Sequence, residues 1–143
     1  MEKELLVKLD QNFQDYRQKL LQAMKEYSYR FKRYDVDYTV ALYALSTPVD
    51  ISFVENKIRK SDKAVLLDDG LIAILFDFVD AEGGLKASEN ILTELEPKMF
   101  GKKIFVSIVN SKDAQTKEEH IRKLFDLLRY EIKNDMTDIP LTI

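Results

Sequence analysis

The sequence has no cysteine and a single histidine, His120, among its 143 residues. Disulfide frameworks and Cys-ligated zinc or iron–sulfur sites are therefore excluded, as are multi-histidine metal sites. No stretch approaches the roughly 20 apolar residues of a membrane-spanning helix. The first residues, Met1-Glu2-Lys3-Glu4, lack the basic-then-apolar layout of a signal peptide, so a cytoplasmic protein is expected. No repeats, linkers or low-complexity tracts interrupt the chain. Hydrophobic residues make up 45% and charged residues 33%, the balance of a folded domain rather than a disordered one. One domain of this length buries roughly two-thirds of its unfolded surface. The net charge of −3 argues against a dedicated polyanion binder.

Residues 1–34 hold no glycine or proline. Leu6, Leu9, Phe13, Tyr16, Leu20, Ala23 and Tyr27 recur with 3-4 spacing, which predicts one amphipathic helix over this segment. Such a helix would project about 45–50 Å. Either its later half packs on its own domain, or its first turns also pair with another chain. In the second case Leu6, Leu9, Phe13, Tyr16 and Leu20 form the interface. Residues 35–143 form the remainder of the fold. Tyr38–Leu45 is β-branched, aromatic and nearly continuous in apolar character, as in a central strand. Asp50 caps a short helix carrying Ile51, Val54 and Ile58. Lys63–Leu67 and Leu71–Phe76 flank Asp68-Asp69-Gly70, a strong hairpin signal. A helix follows over Ala81–Glu96, stopped by Pro97. Then come a strand over Lys103–Val109, a helix over Glu118–Lys133, and a short edge strand around Ile139, Leu141 and Ile143. The middle of this order is β-α-β-β-α-β, which predicts an α+β, ferredoxin-like sheet preceded by a long N-terminal helix. One sheet with helices on one face would satisfy every amphipathic element.

This order resembles the GGDEF domain of diguanylate cyclases over about residues 26–133. Arg30, Arg33 and Tyr34 running into Tyr38–Leu42 are similar to the family's basic helix end and first strand. Arg59-Lys60-Ser61-Asp62 resembles its RxxD motif. Asp68-Asp69-Gly70-Leu71-Ile72 falls where the family places its signature turn, and Ala73-Ile74-Leu75 continues as its next strand does. Asp80-Ala81-Glu82-Gly83-Gly84, with Ala87, Glu89 and Ile91, is similar to the entry into the following helix, and Ser107-Ile108 to the next strand. The departures bear on chemistry. The resemblance implies glycines where Asp68 and Asp69 stand, and metal-binding acidic residues where Gly70 and Leu71 stand. It implies a further metal-binding Asp where this chain has Ala44, with Ser46 at the next acidic position. The guanine-reading stretch after the first strand is not recognisable. Phosphoryl transfer needs positioned cations, so the family's cyclase reaction is not expected, and neither a metal nor a cofactor is expected.

Arg59 and Asp62 keep a whole family motif. In the family it forms a cyclic di-GMP site, and a guanidinium can bond the O6 and N7 edge of guanine. The same pair also reads as a local ion pair. Tyr27, Tyr29, Arg30, Phe31, Lys32, Arg33 and Tyr34 interleave aromatic and basic groups, but a helix scatters them, which argues against a nucleic-acid platform. Glu82-Gly83-Gly84 is a helix entry and no phosphate loop. His120 reads as an exposed helical residue, without a partner for a nucleophilic triad. Asp68, Asp69, Asp77, Asp80 and Glu82 read as a solvated hairpin rim, without EF-hand spacing. The expected function is that of a catalytically inactive GGDEF-like regulatory domain. It would act through protein–protein interaction in bacterial signalling, with a protein partner or a second copy held by the N-terminal helix. The alternative is a cyclic di-GMP receptor at Arg59 and Asp62.

Overall fold

Every position of the strand Tyr38–Leu45 (β1) is buried, and this strand forms the middle of the sheet. The computed structural model describes residues 2–143. The chain runs α1 (Glu2–Gln11), α2 (Phe13–Tyr34), β1, α3 (Ile51–Glu55), β2 (Lys63–Asp68), β3 (Leu71–Asp77), α4 (Ala81–Met99), β4 (Ile104–Asn110), a 3-10 turn over Ser111–Asp113, α5 (Lys117–Lys133) and β5 (Pro140–Thr142). The sheet order is β2-β3-β1-β4-β5. β1 pairs antiparallel with both β3 and β4, and β5 pairs parallel with β4 at the edge. The central βαββαβ pattern is the expected ferredoxin-like arrangement.

Helices cover both faces of the sheet, not one. Along β1, β3 and β4 both sets of alternating side chains are apolar, so each face needs a cover. On one face Val40, Leu42, Leu75, Phe105 and Val109 pack with Leu9, Tyr16, Leu20 and Met24 and with Ile121, Leu124, Phe125 and Leu128 of α5. On the other, Ala41, Tyr43, Ile72, Ile74, Val106 and Ile108 pack with Val54 of α3 and Ile91, Leu92, Leu95 and Met99 of α4. Residues 2–34 thus share a core with the sheet.

The single N-terminal helix of the sequence reading is interrupted at Asn12, whose backbone sits at φ −108° and ψ 14°. Its side chain donates to the Lys8 carbonyl at 3.2 Å, a local bond that competes with regular helix. Helical bonding nevertheless spans the break: Asn12 N–H donates to Lys8 O and Tyr16 N–H to Asn12 O, both at 3.1 Å. α2 ends in a left-handed residue, Asp35, at φ 56°.

Two further readings need correction. α4 continues through Pro97 to Met99. The proline removes one hydrogen bond to the preceding turn, and buried Met99 anchors the end of the helix beyond it. His120 is buried, stacked on Tyr38 at 5.4 Å, with Nε2 2.8 Å from the Val109 carbonyl oxygen. Burial depresses its pKa to about 4. The helix face therefore turns inward one residue earlier than its aliphatic stripe indicates.

Candidate functional site

Two places carry the residues singled out by sequence: the turn between β2 and β3, and the loop that ends at Asp62. Gly70 closes the turn at φ +76°, and a Cβ there would lie 2.6 Å from the Leu45 carbonyl oxygen. The Leu45 N–H donates to Gly70 O at 2.7 Å, fastening the end of β1 to the turn. Ser46 is fastened in turn to the residue just before β4: both its N–H and its hydroxyl donate to Lys103 O.

α1 and the first turns of α2 lie over this turn. The Tyr16 hydroxyl donates to Asp68 Oδ2 at 2.6 Å. Lys8 Nζ sits 3.5 Å from Asp68 Oδ1 and donates to the Asp69 carbonyl at 3.3 Å. Lys19 Nζ donates to Leu67 O at 3.0 Å. Burial alone would raise the Asp68 pKa. The Tyr16 hydroxyl, the Asp69 N–H and Lys8 outweigh it and hold the carboxyl below its ordinary range. The Tyr16 phenol is pushed up, first by burial and then by donating to Asp68. Ala44 and Leu71, at two of the positions where the family resemblance implies metal ligands, belong to the apolar cluster of Leu9 and Tyr16 and are almost wholly buried. The third such position, Gly70, has no side chain. Among the described residues no group of three or more His, Asp or Glu could hold a metal ion. The residues present do not fit the metal ions that the resemblance implies.

The predicted interface residues divide. Leu9, Tyr16 and Leu20 are fully buried in the chain's own core, and Leu6 and Phe13 are half-buried against it. Phe13 meets Phe125 edge-on at 5.1 Å, under the Arg129 guanidinium. The seam therefore seals α1 and α2 to the sheet and α5 and is not a free stripe.

Arg59 and Asp62 are brought together. Asp62 Oδ2 accepts from the Arg59 N–H at 3.0 Å and from Nε at 3.1 Å, and Oδ1 accepts from Nη2 at 2.9 Å. Oδ1 also accepts from the Asp77 N–H at 2.8 Å. Arg59 Nη2 donates in addition to the Asp77 carbonyl. The Asp62 side chain is 3% exposed and that of Arg59 55%. Bonding to Asp62 raises the Arg59 pKa. This pair locks the loop onto the end of β3.

Sequence reasoning missed the residues that complete this junction. Asp77 is buried, not part of a solvated rim, and lies 3.1 and 3.2 Å from Arg30 Nη1. Arg30 stacks over Tyr27, whose hydroxyl donates to Ser61 O at 2.8 Å. The signal available was the Arg30 position on α2, but pairing it with Asp77 needs the fold. The aromatic-basic run is split around α2: Tyr27 is buried, Phe31 packs on Tyr38, and Tyr29 and Tyr34 are exposed.

This architecture recurs among solved structures. Diguanylate cyclase SiaD from Pseudomonas aeruginosa, solved with its activator SiaC, aligns with a TM-score of 0.70 at 12% identity, over 99% of this chain and 67% of that one. The FimX GGDEF domain from the same organism gives 0.70 at 10% identity, covering 89% and 93%. The coiled coil and GGDEF domain of DgcB from Caulobacter crescentus, in complex with c-di-GMP, gives 0.70 at 9% identity, covering 85% and 78%. The chain has the fold of a GGDEF domain. No family model and no curated protein matches the sequence, so the likeness is one of fold. At the positions where the resemblance implies metal ligands, Ala44 and Leu71 are packed in the apolar core and Gly70 offers no side chain. No helix among the described residues is long and apolar enough to cross a membrane.

Proposed function

We infer that the chain is a catalytically inactive GGDEF-like domain that regulates by protein–protein interaction in a bacterial, cytoplasmic signalling setting. The observation that carries this reading is the apolar cluster of Ala44, Leu71, Leu9 and Tyr16 beneath α1. A nucleoside triphosphate with its cations needs carboxylates and open space in that position. Here α1 and the first turn of α2 occupy the approach, fastened to Asp68 by Lys8 and Tyr16 respectively. That SiaD was solved with an activator protein supports a protein partner as a mode of work for this fold. The test is incubation of purified protein with GTP and magnesium or manganese, with products separated by chromatography. No cyclic di-GMP above blank is expected, and steady production overturns the reading.

A second reading has one specific observation in its favour: Arg59 keeps its guanidinium half exposed beside Asp62. In this reading the pair receives cyclic di-GMP. The ligand would have to replace bonds that Asp62 already accepts from Arg59 and Asp77. Calorimetric titration with cyclic di-GMP decides it. Binding that Arg59→Ala abolishes, in a variant that stays folded, supports the receptor. No heat at high ligand leaves the pair as structure.

A further inference from the structure

We propose that α1 exchanges between two copies of this chain, the α1 of each copy seating on the β2–β3 turn of the other. The inference rests on the protein-interaction reading above and names the partner as a second copy. Its first support is the connection. α1 and α2 are separated by one residue, Asn12, which makes no side-chain cap to α2. Because helical hydrogen bonds already cross the break, opposed changes of about 45° in φ and about 55° in ψ at this one residue make α1 and α2 a continuous helix. The 3-4 stripe from Leu6 through Phe13 to Tyr27 is in register for that straight form.

The second support is how α1 is held. Leu9 is its one fully buried side chain, with Leu5 and Leu6 packed at the margin. The remaining ties are ion pairs at the surface: Lys8 to Asp68, Glu2 to Lys103 at 2.5 Å, and Asp10 to Arg129 at 3.0 Å. Such pairs are individually weak. Between the helix and the turn a groove of about 270 Å³, open to solvent along Glu4 and Asp69, reaches in to Leu9, Leu45 and Leu71. Leaving the seat costs the burial of Leu9, and an exchanged α1 restores that burial in the other copy. A vacated seat exposes Leu45 and Leu71 to water, and the segment that fits it is an identical α1. Exchange of an identical element across a short hinge is a low-cost route to a dimer.

The absence of native cysteine makes the test direct. Glu4 and Asp69 line the same groove, are exposed, and among the described residues use their side chains for no hydrogen bond or ion pair. A Glu4→Cys chain is mixed with an Asp69→Cys chain at rising concentration and treated with a short bismaleimide. Light scattering follows the mass in parallel. A covalent dimer carrying one chain of each kind, growing with concentration, is expected. Asn12→Ala favours the straight helix by about threefold per hinge, hence about tenfold in the dimerisation constant, and Asn12→Gly acts in the opposite direction. The chain carrying both cysteines reports the closed form as an internal link at high dilution, and lack of that link overturns the seating itself. A dimer by mass with internal links only overturns exchange and leaves self-association standing. A monomer at every concentration overturns both. GTP turnover does not enter this test, so its failure is distinct from failure of the inactive-domain reading.

Discussion

Glu131 is fully buried on α5, and neither carboxyl oxygen has a hydrogen-bond partner. Burial raises its pKa from 4.5 to about 8. The folded state therefore holds this proton more tightly than the unfolded chain. The stability it contributes is complete below about pH 4.5 and is lost as pH rises through about 8. Between pH 6.5 and 8.5 the linkage amounts to roughly 2 kcal/mol, at about 1.4 kcal/mol per pH unit until the folded group ionises. Glu131→Gln keeps the shape and removes the titration. Urea unfolding of both proteins at the two pH values measures the effect. With an ordinary urea slope for a small protein, the native midpoint falls by about 1 M over this range, and the Gln variant holds its midpoint. His120 contributes in both proteins and cancels in the comparison. Equal pH slopes for the two proteins would refute the argument and place the Glu131 carboxyl in contact with water or a donor.

The remaining predictions concern packing and the acid limb. His120, depressed to about 4, contributes stability above pH 6.5 that is lost as pH falls toward 4; His120→Phe flattens that limb in the same urea assay. Gly84→Ala drives a Cβ into the Thr39 side chain at the crossing of α4 and β1 and destabilises by about 1–3 kcal/mol, with Thr39→Ala in the same chain recovering part of it in thermal melts. Asp62→Ala strands the Asp77 N–H and frees Arg59, lowering stability by about 1–3 kcal/mol and raising amide exchange at Ser61 and Asp77; unchanged exchange contradicts the junction described. Tyr16→Phe removes the bond to Asp68 and costs about 1 kcal/mol by urea unfolding, with the Asp68 pKa rising in an NMR titration.

Much of the fold was legible in order and period. The unbroken apolar run of Tyr38–Leu45 placed it at the centre of the sheet, because a strand buried on both faces has no polar alternation to show. Asp69-Gly70 placed the hairpin, because a left-handed residue with a carbonyl 2.6 Å from any Cβ admits only glycine. That Ala44, Gly70 and Leu71 stand where the family resemblance implies acidic residues was likewise plain from the sequence. Other features depend on which distant surfaces meet. The 3-4 stripe of Leu6, Leu9 and Phe13 specifies a helix and its apolar side, but the same stripe serves a second chain or the chain's own sheet. Only the tertiary structure buries Leu9 in the same core cluster as Leu71, breaks the helix at Asn12 and brings Lys8 to Asp68. Asp77 has no local sign of burial, since its cation, Arg30, lies 47 residues away. Glu131 sits one residue from the stripe of Leu128 and Ile132, and its solitude reflects the sheet packed above it. Sequence determines what local period and backbone geometry can carry. The partners of buried charges are fixed by long-range packing, where proximity in space has no counterpart in spacing along the chain.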